Sequence, residues 1–198
     1  MDRIDSRFPL GLKVGRQAFY RSCGNTASRS RTLTGSACAD MMDSMDALLM
    51  RQAKPEDCHA LAGLRHELWS DASAEEHRQE LASVLAGETP GTLPSVILIA
   101  ENASGQIVGF VEAGLRSHAD GCDPARPVGF VEGWYVVPDW RRKQVGARLL
   151  AEAEAWARAK GCQEMASDTW IDNVDAQRAH EAMGFEVVGR CVNYRKRL

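Results

Sequence analysis

Between Gln144 and Lys160 the apolar residues Val145, Leu149, Ala153, Trp156 and Ala157 return on one helical face, and Gly161 stands where a C-cap would. A stripe of that width must be buried against something. The neighbouring text supplies the surface: Val128 to Val137 before it and Glu164 to Asp168 after it are strand-sized. The longest apolar run, Val96-Ile97-Leu98-Ile99-Ala100, is also strand-sized and far short of the roughly 20 residues that span a membrane. A helix laid across a sheet is the arrangement this pattern predicts.

The rest of the chain extends the same alternation from Ala47 onward. Ala47 to Arg51 reads as a strand, and Pro55-Glu56-Asp57 as a first helical turn, with proline near N1 and acids facing the helix dipole. Leu61, Leu64 and Leu68 share a face of that helix, which stops near Trp69-Ser70-Asp71. A second helix runs from Ala74 to Ala86 and ends at Gly87. Val96 to Glu101 and Gln106 to Arg116 form a hairpin through the turn Asn102-Ala103-Ser104-Gly105. Ser117 to Pro127 is irregular. After the strand at Glu164 to Asp168, Asp172 or Asn173 caps a helix reaching Met183, Gly184 ends it, and Phe185 to Lys196 supplies one or two terminal strands. The order is β-α-α-β-β-β-α-β-α-β, an α/β chain of the α+β kind: a central mixed sheet flanked by helices.

Residues 1–45 differ. They are rich in Arg, Ser, Thr and Gly, lack periodicity, and contain no apolar stretch of signal-peptide type. We expect a disordered N-terminal extension there and a single domain over 46–198. Charge divides along the same line. Seven Lys/Arg against four Asp/Glu give residues 1–45 a charge of +3, leaving 17 basic and 23 acidic residues, −6, in 46–198. An acidic domain disfavours nucleic acid and favours a cationic partner. The six cysteines form no C-x-x-C pair and the five histidines no H-E-x-x-H, so no metal site is expected, and free thiols in a reducing cytoplasm are.

The chemistry concentrates in Val136-Val137-Pro138-Asp139-Trp140-Arg141-Arg142-Lys143-Gln144-Val145-Gly146-Ala147. A strand ends, a basic turn follows and a helix starts. Unpaired N–H groups at a helix start favour an anion, small residues at Gly146 and Ala147 let phosphate oxygens approach, and Arg141, Arg142 and Lys143 add charge. Neither G-x-x-x-x-G-K-[ST] nor G-x-G-x-x-G is present.

This passage resembles the coenzyme A signature of the GCN5-related N-acetyltransferase (GNAT) superfamily, R/Q-x-x-G-x-G/A after a strand ending V-x-P. Arg141 falls on its first position and Gly146 on its last, while Gln144 stands where the family usually has glycine. If that position needs φ > 0, Gln144 costs on the order of 1 kcal/mol. Asn173-x-x-Ala176 and His180-Glu181-Ala182-Met183-Gly184-Phe185 are similar to the family's late helix and turn, and the likeness spans about residues 47–196. It implies the GNAT fold and acetyl-CoA as cosubstrate, held by Val136, Val137, Arg141, Arg142, Gln144, Val145, Gly146, Ala147 and Asn173. A backbone N–H at Val136 or Val137 would polarise the thioester carbonyl. Many members have tyrosine at the position of His180, where it protonates the departing thiolate. As imidazolium His180 could do the same, or else pack beside the cofactor, with Tyr194 a weaker candidate.

Phe130-Val131-Glu132-Gly133-Trp134, Gly161-Cys162-x-Glu164-Met165-Ala166-Ser167-Asp168-Thr169, Gly121-Cys122-Asp123, Leu68-Trp69 and Tyr194-Arg195-Lys196-Arg197 resemble, more narrowly, aminoglycoside 6′-N-acetyltransferases. That likeness implies direct transfer of acetyl to a 6′-amine and antibiotic resistance. Glu132 and Asp168, each near a strand end, would bind the polycation or accept its proton, directly or through water. Trp69, Glu75, His118, Asp120 and Asp123 are candidates for the rim, of which Trp69 and Asp120 are expected to touch substrate and the others could equally be solvent-facing. The family also implies a homodimer, in which Val192-Asn193-Tyr194-Arg195 could add to a sheet edge. The readings set against this one are a GNAT acting on a polyamine or a protein amine, and an acyl-CoA-binding regulator without catalysis. No nucleic acid or membrane partner is expected.

Overall fold

A computed structural model describes residues 47–88, 93–192 and 194–197; the segment 1–45, expected as an extension, lies outside them. Five strands form one sheet in the order β1 (Leu48–Gln52), β2 (Ser95–Asn102), β3 (Ile107–Arg116), β4 (Val128–Val136) and β5 (Met165–Ser167). The first four pair antiparallel and β5 runs parallel to β4. The helices are α1 (Cys58–Leu68), entered through a 3-10 turn at Pro55–Asp57, α2 (Ala74–Leu85), α3 (Val145–Ala159) and α4 (Val174–Ala182).

Each sheet face has its own core. On one, Leu61 and Leu68 of α1 and Leu81 of α2 meet Ile97, Ile99 and Phe110. On the other, Val145, Leu149, Leu150 and Ala153 of α3 pack on Ala100, Val108, Val111 and Val131. The stripe expected on α3 is the buried one, and β3, covered on both faces, is buried from Ile107 to Gly114. Gly161 and Gly184 take φ of 89° and 88° just beyond α3 and α4, the left-handed geometry a helix stop requires. Asn102 closes the β2–β3 hairpin by accepting from the N–H groups of Ser104 and Gln106.

Charge ties the layers together. Arg51 donates to Asp57 at 2.7 and 2.8 Å and also to Glu101, and Asp57 accepts from the Lys54 N–H at 2.7 Å. The hydrogen bond from Arg51 holds the Asp57 carboxyl below its ordinary range. Deeper in, Arg65 of α1 forks onto both oxygens of Glu112 on β3, with Glu80 at 3.3 Å. Burial works against the Arg65 charge, and Glu112 more than offsets it, leaving the guanidinium above its ordinary value.

One expectation fails. Among the described residues from Phe185 to Arg197 there is no strand. Val187, Val188, Val192 and Tyr194 are 64%, 64%, 73% and 92% exposed. Their alternation suits a strand, but a strand needs a partner, and among the described residues the segment pairs with none.

Candidate active site

The turn between β4 and α3 is built around two left-handed residues. Arg142 has φ 61° and Gln144 has φ 62°. A non-glycine residue there costs roughly 1 kcal/mol or more, strain that persists only where surrounding structure enforces it. Such a turn can gather successive N–H groups into an anion-binding concavity. Gln144 is the N-cap of α3 and makes no side-chain cap bond, and Arg148 N–H donates to Gln144 O at 3.0 Å. The N–H groups of Val145, Gly146 and Ala147 therefore have no partner within the helix. Arg142, Lys143 and Gln144 are exposed. Arg141 is folded back: its Nε donates to the Val136 carbonyl at 2.8 Å and its guanidinium lies 5.6 Å from the Tyr135 ring.

A notch opens beside β4. Its parallel pairing with β5 ends at Val131↔Ser167, although β4 continues to Val136. Register explains the end: against β3, Glu112 faces Gly133 while Ala113 faces Val131, so Glu132 is an extra, bulged residue. From Glu132 to Val136, among the described residues, β4 therefore has a strand on one side only. Successive strand N–H groups point to opposite edges. The Val137 N–H donates to Val108 O on β3 at 3.0 Å, so Val136 and Trp134 direct theirs into the notch. This corrects the expectation for Val137, whose amide is already committed to the sheet. Val136 remains a possible donor to a thioester carbonyl.

The acidic pair sits at the apex of this notch. Glu132 and Asp168 each follow a member of the last parallel pair, Val131↔Ser167. Their surroundings differ. Arg116 grips Glu132 through both oxygens, at 3.1 and 2.7 Å, with its guanidinium 3.2 Å from the centroid of the Phe130 ring. Asp168 is exposed. His180, on α4, reaches the same apex: Nδ1 lies 2.7 Å from Ala176 O and Nε2 lies 2.9 Å from Ser167 Oγ. Its ring is held edge-on between Trp134 and Phe185, at centroid distances of 5.7 and 5.3 Å.

A family model described as the acetyltransferase (GNAT) family matches residues 51–185. The chain belongs to that family. Among curated relatives, an aminoglycoside N(6′)-acetyltransferase type 1 from Klebsiella aerogenes is 41% identical over 76% of this chain and 97% of its own length. Another from Stenotrophomonas maltophilia is 42% identical over 74% and 91%. Among solved structures, AAC(6′)-Iy in complex with the bisubstrate analogue CoA-S-monomethyl-acetylneamine superposes with a TM-score of 0.68, at 35% identity over 77% of this chain and 99% of that one. AAC(6′)-Ih from Acinetobacter baumannii gives 0.68 at 28% identity, over 77% and 99%.

As a GNAT, the chain fits an acyl-CoA on its own evidence. The strained turn suits a diphosphate, and the one-sided stretch of β4, about four residues or roughly 13 Å long, suits an extended amide-bearing arm lying along a strand edge. Gly146 has a packing reason beside the expected one. A Cβ there would stand 2.9 Å from the Trp134 ring, so the missing side chain makes room for that indole under α3. Asn173 caps α4, its side-chain oxygen accepting from the Ala176 N–H at 3.2 Å.

The rim residues fare unevenly. Trp69 is not at a solvent-facing rim. It is 7% exposed, packed against Phe110 and His77, with its indole so close over Gly133 that a Cβ there would stand 2.4 Å away. Its size and the bare glycine opposite it draw it into the core behind Glu132. Asp120 is exposed on the 117–127 loop, at the other end of β4 from the phosphate turn. Asp123 staples that loop: its N–H donates to Glu164 at 2.7 Å and its carboxylate accepts from Ala125. Glu75 is paired with Arg78 on α2, which lowers its pKa to about 2. Tyr194 lies 92% exposed in the tail. Arg116, Trp134 and Ser167 were missed as site residues, because nothing in their sequence neighbourhoods announces a contact made across the sheet. Burial pushes the Cys122 and Cys162 thiols up, which makes either a poor thiolate nucleophile. Among the described residues no cluster of His, Cys, Asp or Glu could hold a metal, and no helix is long and apolar enough to cross a membrane.

Proposed function

We propose that this GNAT transfers acetyl from acetyl-CoA directly to the 6′-amine of an aminoglycoside and so confers resistance to it. The observation that carries the reading is the meeting, at one notch apex, of a one-sided β4 edge with Glu132 and Asp168. The 35–42% identity to enzymes named for this reaction supports it. The turn at Arg142–Ala147 would hold the diphosphate, and backbone N–H groups of Trp134 and Val136 would orient the arm or polarise the carbonyl. A polycation is drawn to an acidic domain and its reacting amine to the carboxylates. Asp168 is the better placed proton acceptor, because Arg116 occupies both oxygens of Glu132. Glu132 then binds, exchanging Arg116 for a substrate ammonium.

The test is a free-thiol release assay over aminoglycosides bearing either a 6′-amine or a 6′-hydroxyl. Turnover with the amines alone is expected. Asp168→Ala should lower kcat about 100-fold, and Glu132→Ala should act mainly on the KM of the aminoglycoside. Turnover of a polyamine or peptide amine with none of the drugs would replace the substrate, and cofactor binding without transfer to any amine would replace the activity.

Three further readings belong to the same proposal. Residues 46–198 form the N-acetyltransferase domain, the enzyme works in the cytoplasm, and it is a homodimer. The apolar exposure of Val187, Val188 and Val192 supports the last of these.

A further inference from the structure

Counting donors at His180 leads past the histidine itself. Ala176 O can only accept, so the proton on that 2.7 Å bond belongs to Nδ1. Nε2 then faces Ser167 Oγ at 2.9 Å, and Ser167 also stands 3.3 Å from Val131 O, which again can only accept. Ser167 has one hydrogen. Both of its bonds are made together only when it donates to Val131 O and receives from a protonated Nε2. Edge contacts with Trp134 and Phe185, at interplanar angles of 86° and 73°, brace the ring in this orientation. In this structure both nitrogens of His180 are therefore directed at protein groups. Ser167, the last residue of β5 still paired with β4, stands where the notch begins, its hydroxyl bonded to both His180 and Val131 O.

We propose that Ser167 is the catalytic acid that protonates the departing thiolate, with His180 a positioning residue that resupplies its proton. This rests on the acetyltransferase reading above. As the amine nitrogen bonds to the acyl carbon, the carbon–sulfur bond breaks and its electron pair goes to sulfur. The Ser167 hydroxyl turns from Val131 O to the sulfur, which takes its proton, and Ser167 takes the Nε2 proton. The imidazolium becomes neutral imidazole, still donating from Nδ1 to Ala176 O. The proton lost by the acylated amine leaves through Asp168 or water, and His180 is reprotonated from solvent.

The test has two arms. In single-turnover acetyl transfer, Ser167→Ala should slow the reaction about 100-fold with the KM for acetyl-CoA unchanged, and Ser167→Thr should retain most of the rate. The isosteric pair Ser167→Thr and Ser167→Val, differing only in hydroxyl against methyl, gives the same contrast if the alanine variant folds poorly. Adding His180→Gln to Ser167→Ala should cost little more, as two groups acting in one relay do. In the free protein, 15N NMR of the neutral His180 ring, assigned by its loss in His180→Gln, should show the proton on Nδ1. A wild type that transfers acetyl while Ser167→Ala or Ser167→Val keeps its rate overturns the proposal, as does an Nε2–H tautomer. A wild type inactive on every amine removes instead the reading beneath it, and the NMR arm still decides the geometry.

Discussion

Gln144 sits at φ 62° at the threshold of α3, beside Arg142 at 61°. An L side chain there crowds the following carbonyl and costs about 1–2 kcal/mol, while glycine loses about 0.5–1 kcal/mol of that advantage to its freedom in the unfolded chain. Gln144→Gly should therefore stabilise the protein by roughly 0.5–1 kcal/mol. The urea midpoint should rise with an unchanged slope, and acetyl-CoA affinity should hold, because the backbone amide rather than the side chain meets the phosphate. A lower midpoint would mean that Gln144 makes a compensating contact in solution. The signature was legible here even with its glycine replaced, since strand, proline, basic turn and helix start all keep their places. The reason for Gly146 was not. Sequence suggested room for phosphate; the packing reason, room for Trp134, stayed hidden because no spacing rule relates residue 134 to residue 146.

At the scale of elements, one charged clasp joins α1 to the middle of the sheet. Leu61 and Leu68 were readable as the buried face of α1, but Arg65 between them is also buried, at 6% exposure, because Glu112 on β3 receives it. Periodicity marks apolar faces and passes over a paired charge. Removing one member of such a pair leaves the other charged in a dry place. Glu112→Gln should cost about 3–5 kcal/mol, and Arg65→Met with Glu112→Leu should recover most of it. Urea denaturation of the three variants checks this, and a loss below about 1 kcal/mol for the single change would show that Glu80 or water already solvates Arg65. The clasp lies opposite Gly133, one residue past the bulge that frees Glu132. A stability defect in Glu112→Gln should thus be accompanied by weaker aminoglycoside binding.

The whole molecule was legible in outline: every element expected from 47 to 184 is present within a residue or two of its place. The tail was not, because a strand is a relation between two segments and a sequence displays only one of them. Val187, Val188 and Val192 need an edge, and β5, only Met165–Ser167, is the short outer strand of the sheet. Sedimentation velocity at micromolar concentration should return twice the chain mass, and Val187→Asp with Val188→Asp should halve it; a monomeric wild type would refute the dimer. The same short strand has a thermodynamic consequence. β3 and β4 share eight registers, β4 and β5 share three, and no residue of α4 is buried, so β5 and α4 form the least cohesive part of the domain. A ligand that lies against both β4 and β5 raises their opening free energy by RT ln(1 + [L]/Kd). Donor occupancy and local cohesion are then one quantity, and the amides of Met165 to Ser167 become a gauge of how much acyl donor surrounds the protein.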